Sequence, residues 1–285
     1  MKDKITIVTD SASDLLKEEA DQLGVKLLPI TISFDGTEYL DGVTISRDEF
    51  YGQLRPDHLP KTSLISPGVY EDCFREEIDK GNHVVCLVMS SEISGCYQSA
   101  TLASQDFGDQ VRVIDTRHFC GSQQLLVRLA CQLRDQGLSA DEIAATIDNE
   151  KHHVQIIALF DTLDYVKAGG RISGAKATIG NLLSIKPVIS ITDGAVDLIG
   201  KARGSKKGNN YLMEFVKNHG GIDWNRPILL SYSGQSDELL AQYIKDSAAL
   251  YEGHDADSLP RSCVGATVGT YAGPGAIAFA FFPAT

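Results

Sequence analysis

The run VVCLVMSSEISGCYQSATLA, residues 84–103, decides how this chain is read. Six apolar positions, Val84 to Met89, stop abruptly at Ser90, Ser91 and Ser94, and helical spacing takes over after Gly95. A short apolar run bounded by small polar residues is a strand covered on both faces, as in a parallel sheet. Its hydroxyls then fall at the carboxyl end, where open parallel sheets take their ligands. Three chemistries compete for that cluster: a serine nucleophile, a phosphate cradle, or a clamp for another small anion.

Working outward, KITIVTD (4–10) precedes a helical pattern from Ala12 to Leu23, and VRVID (111–115) precedes one from Ser122 to Gln136. Repeated strand–helix units predict a parallel sheet with helices on both faces. LLPITISF (27–34) reads as a further strand, edge or bulged because of Pro29, and DGTEYLDG (35–42) as turns. Ser46 with Glu49 forms a capping box. Pro67 starts a helix with Val69, Tyr70, Cys73, Phe74 and Ile78 on one face. A helix over 140–150 leads into VQIIALF (154–160). The pattern then changes. VISITDGAVDLIGKA (188–202) places Asp-Gly between two β-prone runs, a hairpin signal. RPILLSYS (226–233) and SCVGATVGT (262–270) read as strands. The expected class is α/β in two domains. Residues 1–155 form a Rossmann-like domain with a parallel sheet, and residues 156–271 form a second α/β domain with a mixed or antiparallel sheet. Residues 272–285 are expected to pack back on the first.

The totals narrow the function. The chain has 285 residues, 43% of them hydrophobic, and a net charge of −12, which argues against a general nucleic-acid binder. The longest apolar stretch, AGPGAIAFAFF, is too short to cross a bilayer, and the start MKDKITIV has no secretory h-region. Six cysteines without a C-x-x-C pair suit reduced thiols and a cytoplasmic location. Charge is uneven: Lys167 to Lys207 holds eight basic and two acidic residues, a local +6 on an acidic chain. Such an island suits an anionic ligand or an acidic partner surface.

Catalytic motifs are scarce. S-S-E-I-S-G is not the G-x-S-x-G of a nucleophile elbow, none of seven histidines stands at a base-marking spacing, and no H-x-x-x-H, G-x-G-x-x-G or P-loop occurs. Ser94 as the nucleophile of an acyl or phosphoryl transfer or hydrolysis enzyme is the alternative reading. A plain helix cap is a common duty for such a serine. Ser94-Gly95 opens a helix, whose free N–H groups and positive end favour an anion. In FDTLDYVKAGGRISGAKATIGNLLSIKPV (160–188), Gly169-Gly170 ends one helix and presents Arg171 on a tight backbone. Ile179, Leu182 and Leu183 follow at helical spacing as a greasy stripe. A small-anion clamp beside such a stripe suggests an amphiphile, its head at Ser94 and its tail against Ile179 and Leu183. About 0.8 kcal/mol per buried methylene lets the tail dominate affinity.

Together IVTDSASDL, KTSLISPG, SSEISGCYQSA, the 160–188 segment, GKARGSKKG and GTYAGPGA resemble the DegV family of bacterial fatty-acid-binding proteins, end to end. That resemblance implies two α/β domains with a long-chain fatty acid such as palmitate between them, and no other cofactor, metal or catalytic residue. It assigns the carboxylate to Thr62, Ser63 and Ser94, with Gly95 and Tyr271 beside them; the tail pocket expected from the stripe is Ile179, Leu182 and Leu183, with Ile172 added. It also implies a partner, the catalytic subunit of a fatty acid kinase, with Arg171 and Arg203 serving the acyl phosphate or the kinase surface. Contact with membranes would be transient. Two positions depart from the family pattern: Tyr271 stands where a histidine is usual, and Cys96 where a threonine is. A phenol donates and accepts hydrogen bonds but brings no positive charge.

Overall fold

A computed structural model describes residues 4–172 and 185–284. The elements run β1 (Lys4–Asp10), α1 (Lys17–Leu23), β2 (Val25–Leu28), β3 (Thr31–Phe34), β4 (Thr37–Leu40), α2 (Arg47–Gln53) and β5 (Lys61–Ser63). Then come α3 (Pro67–Asp79), β6 (Asn82–Val88), α4 (Cys96–Ser104), β7 (Val111–Asp115), α5 (Cys120–Asp135) and α6 (Ala140–Glu150). The second half holds β8 (Gln155–Leu159), α7 (Asp164–Ala168), β9 (Ile185–Thr192), β10 (Ala195–Arg203), α8 (Gly204–Asn218) and β11 (Leu229–Tyr232). It ends with α9 (Glu238–Asp246), β12 (Arg261–Cys263), α10 (Ala266–Ala272) and β13 (Ile277–Phe281).

Strands β2-β1-β6-β7 form a four-stranded parallel sheet, with Ile7 paired to Val85 and Cys86 to Val113. A six-stranded mixed sheet, β10-β9-β8-β13-β11-β12, occupies the second half. The class is therefore α/β with one parallel and one mixed sheet, as the alternating pattern predicts. Within the C-terminal segment, β13 pairs with β8 and β11 inside the mixed sheet. Its small-residue face, Ala278 and Ala280, nevertheless meets α5 of the first half.

Three further expectations are corrected. LLPITISF is not one strand, because Pro29 lacks the N–H a ladder needs. The chain leaves the parallel sheet at β2 and enters a separate antiparallel sheet, β4-β3-β5, at β3. The turn-rich DGTEYLDG is the hairpin of that sheet, with Asp35 and Gly36 both at positive φ. SCVGATVGT is a strand only to Cys263, and α10 follows. Buried carboxylates make that helix possible. Asp14 accepts the Gly265 N–H at 2.8 Å, and Asp41 accepts those of Ala266 and Thr267, both at 3.0 Å. Free N–H groups at a helix start are satisfied this way by cross-chain contacts that no local pattern reports. Among the described residues no helix is long and apolar enough to cross a membrane.

Helix α5 lies between the two large sheets, packing on β1 and β6 and also on β8, β11 and β13. Its residues Leu125, Leu126 and Val127 are fully buried in a core shared with Ile7, Leu87 and Ala280. Gly121 permits the close approach: a Cβ there would stand 3.3 Å from that of Ala280.

Burial pushes the Asp14 carboxyl up to about 7, against the smaller opposing pull of Arg47. Below about pH 3 the group is largely protonated folded and unfolded alike, so it makes little difference. As pH rises toward 7 the unfolded chain ionises first, and the fold loses stability. Asp14→Asn, which keeps the acceptor for Gly265, should match wild type at about pH 3 and exceed it at about pH 8 by on the order of 4 kcal/mol. Urea unfolding at the two pH values measures this; equal pH dependence in both proteins would refute it.

Candidate functional site

Three separate pieces of the fold bring their hydroxyls together. Thr62 and Ser63 come from β5, fixed by the pairing of Thr62 with Ile32 of β3. Ser94 and Gly95 come from the loop between β6 and α4, and Tyr271 from α10. All five line one cavity of about 230 Å³, with Arg171 from just beyond α7. Thr62 Oγ1 and Tyr271 Oη are 2.6 Å apart and share a hydrogen bond. Ser94 Oγ accepts the Cys96 N–H at 3.3 Å, while Gly95 takes the cap position of α4. The serine thus acts as a cap one residue early and still faces the cavity.

Arg171 donates to the Gly169 carbonyl at 2.7 Å, and its guanidinium stacks 4.9 Å from the centre of the Tyr271 ring. Among the described lining residues it is the one that carries formal charge. The cavity therefore offers neutral donors, one cation, and the N-terminal end of a nine-residue helix. That is an environment for an anion.

A second, apolar cavity of about 70 Å³ adjoins the first, and the two share Phe119, Val196, Val268 and Tyr271 as walls. Its far side is a face of the mixed sheet: Ile156 and Ala158 of β8, Ile189 and Ile191 of β9, and Ala278 of β13. Ser190 also lines it, but its hydroxyl is spent on the Ile156 carbonyl at 2.8 Å. A polar chamber beside a dry one suits a molecule with a charged head and an apolar tail.

Of the residues expected at the tail, Ile172 is buried in the main core but does not line either cavity, while Ile179, Leu182 and Leu183 lie outside the described residues. Arg203 is exposed at the opposite end of β10 from the hairpin turn and lines neither cavity, whereas Arg171 lines the polar one. The sheet-face residues escaped the sequence reading. Alternation in AIAFAF was the available signal: Ala278 and Ala280 turn to α5 and the cavity, and Phe279 and Phe281 to the opposite core. Thr267 and Val268 were hidden because their segment was read as a strand.

A nucleophile reading of Ser94 lacks a base. No histidine or carboxylate is among the described lining residues. His118, fully engaged elsewhere, contacts Ser122 Oγ at 3.1 Å and the Lys151 carbonyl at 2.8 Å, and burial lowers its pKa to about 4. Among the described residues no group of metal-ligating side chains comes together. A hollow of about 1800 Å³ runs elsewhere, along the open β2 edge past Lys26 and Glu77, and none of the clustered hydroxyls lines it.

Two sheets sharing a helix, with a polar cavity beside an apolar one, define a two-domain α/β protein. The sequence model of the DegV family, described as uncharacterised proteins, matches residues 4–284, and the chain belongs to that family. A DegV domain-containing protein of Caldanaerobacter subterraneus subsp. tengcongensis is 36% identical over 277 residues, 96% of this chain and 97% of that one. Among solved structures, a fatty-acid-binding DegV family protein from Thermus thermophilus superposes with a TM-score of 0.86 at 29% identity, covering 99% of this chain and 100% of its own. A stearic acid-binding protein from Eubacterium ventriosum gives a TM-score of 0.84 at 30% identity, with 97% of each chain covered.

Gly169 holds this geometry, since a Cβ there would stand 2.3 Å from the Tyr271 ring. Gly169→Ala should destabilise the protein by about 1–3 kcal/mol, the usual effect of overpacking. Adding Tyr271→Ala should recover most of that loss, because the clash is then gone. Thermal unfolding of the two single variants and the double variant completes the cycle; additive losses would show that the two residues do not press on each other.

Proposed function

We propose that this protein binds a long-chain fatty acid such as palmitate, its carboxylate in the polar cavity and its tail in the apolar one. The observation that carries the reading is the adjacency of the two cavities, which share Phe119, Val196, Val268 and Tyr271 as walls. Ser94, Ser63 and Thr62 donate to the carboxylate, Tyr271 orients Thr62, and Arg171 supplies the charge that the hydroxyls lack. The relatives from Thermus thermophilus and Eubacterium ventriosum support this reading. The domains meet at the site, divided at residues 155 and 156, with β13 added to the second.

The protein itself is non-catalytic and cytoplasmic, and presents the bound acid to a separate ATP-dependent fatty acid kinase. The exposed Arg203, inside the basic island, serves that partner. Its distance along β10 from the hairpin turn keeps it clear of the lipid.

Native mass spectrometry of purified protein should show an added mass of a C14–C18 fatty acid. An unliganded mass that stays unchanged after incubation with such acids would refute the proposal. Ser94→Ala should weaken binding by about 1–3 kcal/mol through the loss of a hydrogen bond to a charged group. Arg203→Ala should leave lipid affinity intact and reduce phosphorylation by the kinase; lost lipid binding in that variant would move the basic island into the pocket.

A further inference from the structure

The β9–β10 hairpin walls both cavities. Val196 lines the two of them, and Ile191, its cross-strand partner, lines the apolar one. The wall reaches beyond the sheet that carries it. Pairing of β9 with β8 ends at Ser190, whereas β9 continues to Thr192, and β10 is the edge strand.

Two loops of the parallel sheet hold the protruding tip. Ser90, fully buried, donates from Oγ to the Gly194 carbonyl at 2.7 Å. Arg117 donates to the Asp193 carbonyl and pairs with Glu92 at 2.9 Å. The fit is close: a Cβ on Gly194, whose φ is 85°, would lie 2.5 Å from Ser90 Oγ. At the other end the hairpin register slips between Leu198 and Gly200, where the Tyr211 hydroxyl donates to the Ile199 carbonyl at 2.9 Å. The hairpin is thus fastened at its tip and bulged toward its base. The fastening loop is also the loop of the polar cavity, since the Ser94 N–H donates to the Ser90 carbonyl at 3.2 Å.

We infer that Ser90 and Arg117 latch the β9–β10 hairpin, and that releasing this latch opens the apolar cavity for exchange of its acyl occupant. The inference rests on the fatty-acid reading above. An opening step that precedes both entry and exit multiplies the two rates alike and leaves affinity unchanged, which separates a gate from a ligand contact.

The test uses delipidated full-length protein. Uptake of palmitate is followed by native mass spectrometry after rapid mixing, and exit by a chase with deuterated palmitate. Ser90→Ala should speed uptake and exit together, each about five- to tenfold, the effect of one buried hydrogen bond. Its dissociation constant should stay within about twofold of wild type. Arg117→Ala, partly exposed, should behave the same way and serves if Ser90→Ala does not fold. Faster exit with unchanged uptake would make Ser90 a contact of the ligand and overturn the latch; so would wild-type rates in both variants. Wild-type protein that takes up no palmitate would overturn the fatty-acid reading, and the latch with it.

Discussion

Everything in this structure depends on one helix serving two sheets. A helix buried on opposite sides has no polar face to spare, and α5 accordingly buries even Gln123 and Gln124. Close packing on the mixed sheet requires Gly121 on the helix and Ala280 on β13. The helix cannot extend further back, because Arg117 and Cys120 take left-handed backbone conformations, at φ 59° and 56°. Beyond Cys120 the sheet face meets Val268, Tyr271 and Ala272 of α10 instead, and the apolar cavity lies there.

The chemistry at the mouth of that cavity divides labour between direction and charge. Hydroxyls on a strand, a loop and a helix converge from different sides, and short-range hydrogen bonds fix orientation. Arg171 adds a longer-ranged attraction, and its planar guanidinium, although exposed, lies over the Tyr271 ring. The Gly169-Gly170 pair makes both possible. Gly169 leaves room for the ring, and Gly170, at φ 68°, turns the chain so that Arg171 points back along its own helix.

Local physics made much of this legible in the sequence. The apolar run at 84–89, the capping box at Ser46 and the Asp-Gly hairpin each carry their own signal, and each forms where expected. Thr62, Ser63, Ser94, Gly95 and Tyr271 were readable by resemblance, and the structure gathers them in one cavity. What stayed hidden depends on partners distant in sequence. α10 exists because Asp14 and Asp41, more than 200 residues earlier, satisfy its first N–H groups. The split at Pro29 sends one apolar run into two sheets, which no periodicity announces. Arg171 belongs to the pocket through a stacking contact that spacing does not encode.

The polar cavity has no half. β5 belongs to the small antiparallel sheet, the Ser94 loop to the parallel sheet, and Tyr271 to a helix anchored on both halves of the chain. A fragment that keeps only one of these pieces keeps none of the combined affinity. Occupancy consequently reports on assembly of the entire molecule. Any ligand held there draws the equilibrium toward the fully docked chain, by about 2.7 kcal/mol at a hundredfold excess over its dissociation constant. Protection against proteolysis would then spread to segments far from the ligand, such as α3 and α9, because their unfolding empties the same site.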